Sequence, residues 1–511
     1  MTTTETFTEK VGDFLRKHLP LAAEAKGEKV IHDPLWGSNV FFPWELAIID
    51  TPLFQRLRFI HQTGTAFLTY PSSAHNRFSH SLGVCILANR LILKLKDHCS
   101  LNLNYEISKK DIYTVRLAGL LHDVGHCFFS HTSEQIIKHL KDFHLLRKEN
   151  AFFSKKKVHP HESYAFLILR HPRFGTFWDT VKSLFKNNDE APELGDIARI
   201  IIGSDISPEK RFLREIITGP YDVDKLEYLY RDGYNAGLTI AYDIERYFYR
   251  IQVEDTSKYS HVHNERRLVM DIGGVTAVEQ LIFSKMMLFS YIYHHQKVRP
   301  ADCIIRDIVY DLLFKRRNDV FPIGHPVDFV NYTDADFMSC FASAGGDEIG
   351  SLIQKLRHRN LLKRCFVITR DFVEGLKADQ DIAANYERLC NDMRDVMKKQ
   401  RRMREHIAKK LTKATKRHYD FYDIQIDLPE LPPMEEAAKA PVKLPDGRIE
   451  PISDYFQLEG WERTYELKKL RGYFFVRPEV VNVANTVIKE YLQETYNLSF
   501  NPLASQLAKV V

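Results

Sequence analysis

Apolar residues recur at helical rather than alternating spacing along most of this chain. Within 44–61, Leu46, Ile49, Leu53, Leu57 and Ile60 face one way and predict one amphipathic helix. Leu82, Val84, Ile86 and Leu87 mark a second. The unbroken run from Val115 to Leu121 predicts a buried third, terminated at Gly125. Tyr164, Phe166, Leu167 and Leu169 follow His159-Pro160-His161-Glu162 as another helix. After Gly219-Pro220, Asp222 is suited to N-cap a helix whose apolar side carries Leu226 and Leu229. Residues 277–315 read as one long helical pattern, and 316–395 as mixed helix and loop. Residues 1–29 form a partly helical lead-in. His32-Asp33-Pro34-Leu35-Trp36-Gly37 reads as a turn-rich loop with a structural His-Asp pair, and Lys138 to Lys157 as a charged surface excursion. From Tyr419 the pattern changes to a Pro-rich stretch with a hairpin turn at Asp446-Gly447-Arg448, a strand near Gly472 to Val476 and a closing helix near 479–495. The expected fold class is mainly α. A helical catalytic core spans 30–395, a basic helical segment 396–418, and a small mixed α/β appendage 419–511.

Composition narrows the class. The chain has 511 residues and a formal net charge of +5, which permits an anionic ligand without demanding nucleic acid. Its 7 cysteines are scattered without CxxC spacing, so no disulfide framework is expected and a reduced, cytoplasmic setting is. No run approaches the ~18 apolar residues that span a bilayer, so no membrane is expected. The first residues, MTTTETFTEKVGDFLRK, have no apolar core and do not read as a signal peptide. Lys398, Lys399, Arg401, Arg402, Arg404, Lys409, Lys410, Lys413, Lys416 and Arg417 make 398–417 a possible nucleic-acid contact, although a solvated helix face has the same pattern.

The candidate chemistry centres on His122-Asp123-Val124-Gly125-His126-Cys127-Phe128-Phe129-Ser130-His131. Buried imidazole and carboxylate are costly unless paired or bound to metal. His122 and Asp123 suit neighbouring coordination positions, and His126 sits about one turn further on. Arg77 and His80 are three apart, so a guanidinium flanks an imidazole, as an anionic phosphate oxygen would require. In the helix after Asp222, setting Asp224 at 0° places Tyr228, Asp232 and Lys225 at roughly 40°, 80° and 100°. Carboxylate, phenol and ammonium on one stripe suit a wall for metal, phosphate and sugar hydroxyl. His161-Glu162 is either a proton-transfer pair or an ordinary first helical turn. Gln55 could read a ligand hydroxyl or base. Lys285, Tyr291, Tyr293, His294 and His295 could line a sugar pocket or simply be core.

The ordered stretches DTPLFQRLRFIHQTG, SSAHNRFSHSLGV, AGLLHDVGHCFFSH, HPHES, YDVDKLEYLYRDGYNAG and YHHQKVR resemble the HD-domain phosphohydrolase superfamily, in its deoxynucleoside triphosphate triphosphohydrolase (dNTPase) branch. They cover about residues 50–300. The resemblance implies a helical, homo-oligomeric enzyme that hydrolyses a dNTP to deoxynucleoside and inorganic triphosphate. It implies one divalent metal (Mn, Fe, Zn, Co, Ni or Mg) on His80, His122, Asp123 and Asp224. It assigns phosphates to Arg77, Lys225, Tyr228 and Lys285. It assigns proton transfer and leaving-group stabilisation to His126, His131 and His161 with Glu134. Gln55 and Asp232 would bind the sugar 3′-hydroxyl, and Tyr293 with His295 would exclude ribose. Glu134 is longer than the aspartate of the vertebrate motif, Lys285 replaces an arginine, and Gln296 replaces a lysine. Two rival readings remain: an HD phosphodiesterase or nuclease acting on cyclic nucleotides or oligonucleotides, and a non-catalytic nucleotide- or nucleic-acid-binding regulator.

Overall fold

The computed structural model describes residues 2–24, 27–103, 105–154, 158–240, 242–260, 262–314, 323–340, 348–432 and 435–506. It is mainly α, with short strands gathered into small sheets. The chain falls into two compact units and passes through each more than once. One comprises Met1–Lys285, Arg316–Ser339 and Met434–Gln457. The other comprises Met286–Lys315, Cys340–Pro433 and Leu458–Val511.

In the first unit the helices Arg77–Leu103 and Lys109–Leu121 pack side by side. Ser108 and Asp111 form a capping box that starts the second, and Leu117, Leu120 and Leu121 are fully buried on it. Helix Pro160–Arg170 has proline at its first turn and buries Tyr164, Phe166, Leu167 and Leu169. Helix Val223–Asn235 starts at Asp222, whose Oδ1 accepts the Lys225 N–H at 2.8 Å. The hairpin at 446–448 joins antiparallel strands Pro441–Lys443 and Ile449–Pro451. The first of these adds parallel to strand Arg266–Asp271.

Several stretches differ from the sequence reading. Residues 44–61 are three pieces: helices Pro43–Ile49 and Pro52–Gln55, then a 3-10 turn Arg56–Phe59. Pro52 cannot continue the first helix, so Thr51 caps a new one. The five apolar positions stay buried because the pieces turn the same side inward. His32-Asp33 ends a strand, Lys29–Asp33, that pairs antiparallel with Gly37–Phe41 rather than lying in a loop. The excursion from Lys138 contains helix Lys141–Glu149, which buries Phe143 and Leu146, while its residues 155–157 lie outside the described ones. The long pattern 277–315 is helix Val275–Leu288, a π-helical turn Phe289–Tyr293, and a separate helix Arg299–Phe314. Helices Arg77–Leu103 and Ile272–Tyr293 are each long and apolar enough to cross a membrane by length and composition. In the first, 72% of the apolar window is buried inside the protein, as in a core helix.

In the second unit, strand Gly472–Val476 is central and runs antiparallel to Lys363–Ile368 and Ile424–Asp427. The strand Lys363–Ile368 lies outside the range expected for the mixed appendage, so the sheet recruits a partner from earlier in the chain. Helices Lys399–Thr415 and Val481–Tyr496 pack with it around Phe366, Phe474, Ile407 and Ile488. The basic segment is therefore half core. Arg404 donates to both carboxylate oxygens of Asp307 at 2.7 and 2.6 Å, and Arg401 reaches Asp307 and Asp311. Those two guanidiniums are buried and already paired, and the exposed charges include Lys398, Lys399, Arg402, Lys409 and Lys413.

Candidate metal centre and the adjoining histidine cluster

Three helix ends bring four donor residues together. His80 lies in the first turn of Arg77–Leu103, His122 and Asp123 directly follow Lys109–Leu121, and Asp224 lies in the first turn of Val223–Asn235. Nε2 of His80 is 3.2 Å from Nε2 of His122, 3.1 Å from Asp224 Oδ1 and 3.6 Å from Asp123 Oδ2. Nε2 of His122 is 3.3 Å from Asp123 Oδ1 and 3.6 Å from Asp224 Oδ1. Metal–ligand bonds near 2.1 Å place neighbouring donors about 3 Å apart, so these separations fit one shared cation. The opposite nitrogens are already fixed. His80 Nδ1 is 2.6 Å from Glu227 Oε2, and His122 Nδ1 is 2.8 Å from the Gly119 carbonyl. Each ring thus turns Nε2 toward the centre.

The electrostatics also call for a cation. Burial disfavours charge on His80, yet Glu227, Asp224 and Asp123 outweigh it and push its pKa up to about 10. Burial would raise the Asp123 carboxyl, but Arg77 and the neighbouring imidazoles hold it well below the carboxylate range. Burial likewise opposes ionisation of Asp224, and the hydrogen bond from His80 reverses this. Asp224 is 34% exposed while His80 and Asp123 are sealed, so the centre opens to solvent on the Asp224 side. Arg77 is buried beside the centre. It donates to Asp123 Oδ2 at 2.8 Å, to Ser130 Oγ at 2.9 Å and to the Gln62 carbonyl at 3.4 Å.

Beyond Asp123 lies a second cluster built on Glu134. His126 Nδ1, His131 Nδ1 and His161 Nδ1 stand 3.1, 3.3 and 3.0 Å from its carboxylate. The longer side chain of Glu134 therefore reaches three imidazoles. His126 and His161 stack with ring centroids 3.9 Å apart at 13°. Its donor atoms lie close enough together to hold an ion as well, but the Glu134 carboxylate is already shared among the three imidazoles. The cluster suits a shared proton. Burial, then the charges of Arg77 and His161, lower His126 to about 3. Burial also opposes charge on His161, but Glu134 outweighs it and raises the imidazole to about 9. Glu134 itself sits well below the carboxylate range, because the two imidazoles overcome its burial. His131 is 61% exposed and forms the cluster's outer edge.

Gly125 is not in a left-handed conformation, so it does not end the helix in the way its sequence context predicts. It is needed for close approach. A Cβ there would lie 2.0 Å from the His161 carbonyl, so only glycine lets the His122 turn touch helix Pro160–Arg170.

The other expected residues are less uniformly placed. Gln55 is engaged locally: its amide donates to the Ile49 carbonyl and its Oε1 accepts from Arg58 Nε. Gln62, absent from the sequence-based set, is buried beside Arg77 with its side-chain carbonyl lacking a hydrogen-bond partner among the described residues. Lys225 donates to the Gly219 carbonyl and pairs with Asp222 at its helix start. Tyr228 is half-buried one turn after Asp224. Asp232 is buried and 2.7 Å from His75 Nε2. Lys285 is buried in the first unit. Tyr293 and His295 belong to the second, at the end of the π-helical turn. The residues missed, Glu227, His75 and Gln62, had no local signal beyond a polar residue near a motif. Only Glu227 was findable, as the i+3 neighbour of Asp224.

The HD-domain family model matches residues 77–213, which carry His80, the His122-Asp123 pair and the Glu134 cluster. The chain thus contains an HD domain over residues 77–213. A second model, the HD associated region, matches residues 259–454. Among curated relatives, the HD-domain chain is 28% identical over 415 residues to deoxynucleoside triphosphate triphosphohydrolase SAMHD1 of Bos taurus, covering 71% of this chain and 62% of that one. It is 30% identical over 365 residues to the Homo sapiens protein of the same name, 66% of this chain and 54% of that one. It is also 26% identical over 411 residues to an uncharacterized protein of Methanocaldococcus jannaschii, 80% of this chain and 70% of that one. The alignment thus spans less than two thirds of the bovine and human proteins. A crystal structure of a hypothetical protein from Aquifex aeolicus superposes with a TM-score of 0.60 at 21% identity, covering 90% of this chain and 100% of that one, and shares the fold.

Proposed function

We propose that this protein is a metal-dependent phosphohydrolase that cleaves deoxynucleoside triphosphates to deoxynucleoside and inorganic triphosphate. The observation that carries the reading is the union of two buried clusters across Asp123: a His₂Asp₂ donor set on one side and a Glu134-bound imidazole trio on the other. His80, His122, Asp123 and Asp224 would hold one divalent cation. Such an ion, when bound, polarises a phosphoryl oxygen and lowers the pKa of water.

This chain's own residues supply the rest. Arg77 offers a preorganised cation beside Asp123, where a phosphate oxygen would gain most from it. His161, kept charged by Glu134, holds a proton next to the centre, and His131 presents the solvent-facing edge of the same cluster toward a leaving oxygen. Tyr228 is available to a phosphate oxygen or a sugar hydroxyl and the unpartnered Gln62 carbonyl to a sugar hydroxyl, while Gln55 is locally engaged. The names of the SAMHD1 relatives support dNTPs as the substrate class.

Product analysis tests this. Purified protein with Mn²⁺ is given each dNTP and rNTP, singly and mixed, beside Asp123→Ala. The expected products are deoxynucleoside and triphosphate, lost in the variant. Monophosphate or pyrophosphate as product would assign the cleavage to a different bond.

A further inference from the structure

Phe129 and Ser130 lie just before His131 with positive backbone angles, φ 51° and 52°. Ser130 has ψ −131°, in a region that residues with a Cβ seldom enter. Such a backbone persists only where surrounding contacts over-determine it, and here those contacts come from far along the chain. Asp334, in the first turn of helix Asp334–Cys340, accepts the Phe129 N–H on Oδ1 at 2.6 Å. Its Oδ2 accepts the backbone N–H of His61 at 2.9 Å and faces His61 Nδ1 at 2.6 Å. Phe337, one turn later, packs on Phe128 and Phe129 with ring centroids 4.6 and 5.4 Å away.

The two segments that Asp334 joins are the two that hold Arg77. Ser130 Oγ donates to the His61 carbonyl at 2.6 Å and accepts from Arg77 Nε at 2.9 Å. The residue after His61, Gln62, offers its carbonyl to the other end of the guanidinium. Ile60, just before His61, accepts the Arg77 backbone N–H at 3.0 Å. Asp334 is 3% exposed, and its hydrogen bonds go to Phe129 and His61 rather than to His80, His122, Asp123 or Asp224.

We propose that Asp334 is a positioning residue: by bridging the His61 turn to the strained Phe129–Ser130 backbone, it holds the Arg77 guanidinium where a phosphate must bind. The inference rests on the phosphate-binding role proposed above for Arg77. One carboxylate serves both segments, so the isosteric amide, with a single acceptor oxygen, can satisfy only one of them.

The test compares Asp334→Asn with Asp336→Asn in the full Mn²⁺-loaded chain. Asp336 caps the same helix, accepting from the Thr333 N–H and hydroxyl, and is a control for helix stability alone. Calorimetric binding of inorganic triphosphate is read with kcat and KM on a dNTP, metal content and the melting temperature. For Asp334→Asn we expect triphosphate affinity about tenfold weaker and kcat/KM lower by about 10²-fold, with metal content kept. Asp336→Asn should shift only the melting temperature. His61→Phe keeps the stack on Phe67 (4.5 Å between centroids) and removes only the Nδ1 arm. It should move binding in the same direction by less, and it carries the test if Asp334→Asn does not fold. Unchanged triphosphate binding in both Asp334→Asn and His61→Phe, or an equal loss in Asp336→Asn, overturns the proposal. A wild type that binds triphosphate but releases none from a dNTP instead overturns the reaction proposed above, and the binding comparison still decides the role of Asp334.

Discussion

Glu227 stands directly behind His80, its Oε2 2.6 Å from the ring nitrogen opposite the one that meets His122 and Asp224. Glu227 is fully buried and is held in turn by Trp36 Nε1 at 3.0 Å and Arg231 Nε at 2.6 Å. Arg231 continues to Asp33 at 2.8 Å, which gives Asp33 a structural role in this chain of contacts. Orienting partners of this kind set both the tautomer and the basicity of a metal-binding imidazole. Glu227→Gln should therefore weaken metal affinity about 10–100-fold, measured by competition with a chelator. Gly83→Ala should do the same while leaving Glu227 chemically intact, because its Cβ would lie 2.1 Å from Glu227 Oε1 and push the carboxylate away from His80. Wild-type affinity in both variants would separate Glu227 from the metal centre.

The two clusters should differ in what they retain. Asp123→Ala removes a donor from the converging set, and metal content after dialysis should fall well below that of the wild type. Glu134→Gln leaves His80, His122, Asp123 and Asp224 in place, so it should keep the metal while losing turnover by about 10²-fold, the scale of a lost acid–base partner. Elemental analysis of both variants decides this, and metal loss in Glu134→Gln would mean that the imidazole trio coordinates after all.

The Glu134–His161 pair predicts a pH signature. The folded protein holds His161 at about 9 against 6.5 when free, so its stabilisation is complete below pH 6.5 and fades as pH rises through about 9. The difference in melting temperature between wild type and His161→Gln should thus be largest near pH 6 and shrink toward about pH 9. A constant difference across that window would mean the imidazole is neutral in the folded state.

In the second unit, the buried Arg404–Asp307 pair should dominate the basic helix energetically. Asp307→Ala leaves a guanidinium uncompensated in the interior and should cost roughly 3–5 kcal/mol in urea unfolding. Lys409→Ala and Lys413→Ala, on the exposed side, should each stay within about 0.5 kcal/mol. If the exposed lysines serve nucleic acid, their combined removal lowers oligonucleotide affinity and flattens its salt dependence, and leaves dNTP turnover intact under the function proposed here.

Local chemistry made much of this molecule legible. The burial of Leu46, Ile49, Leu53, Leu57 and Ile60 follows from their spacing, although Pro52 breaks the helix that carries them. The cap at Asp222, the strand Gly472–Val476 and the closing helix depend on neighbours within a few residues, and each forms as its sequence predicts. The His80, His122-Asp123 and Asp224 motifs each sit at a helix end because caps, turns and proline place them there.

What spacing could not supply is which distant stretches meet. Glu227 reaches His80 across 147 positions, and Asp334 reaches Phe129 across 205. Both are ordinary acids in their local sequence. Gly125 reads as a helix terminator until its approach to the His161 carbonyl is seen. Gln55 and Gln62 are equally plausible until one amide is found satisfied and the other buried without a partner for its carbonyl. The sequence by itself determined the elements and the donor types, because backbone dihedrals, caps and periodicity act over a turn or two of chain. Tertiary structure decided orientation, protonation and support, because burial and charge proximity depend on distance in space rather than along the chain.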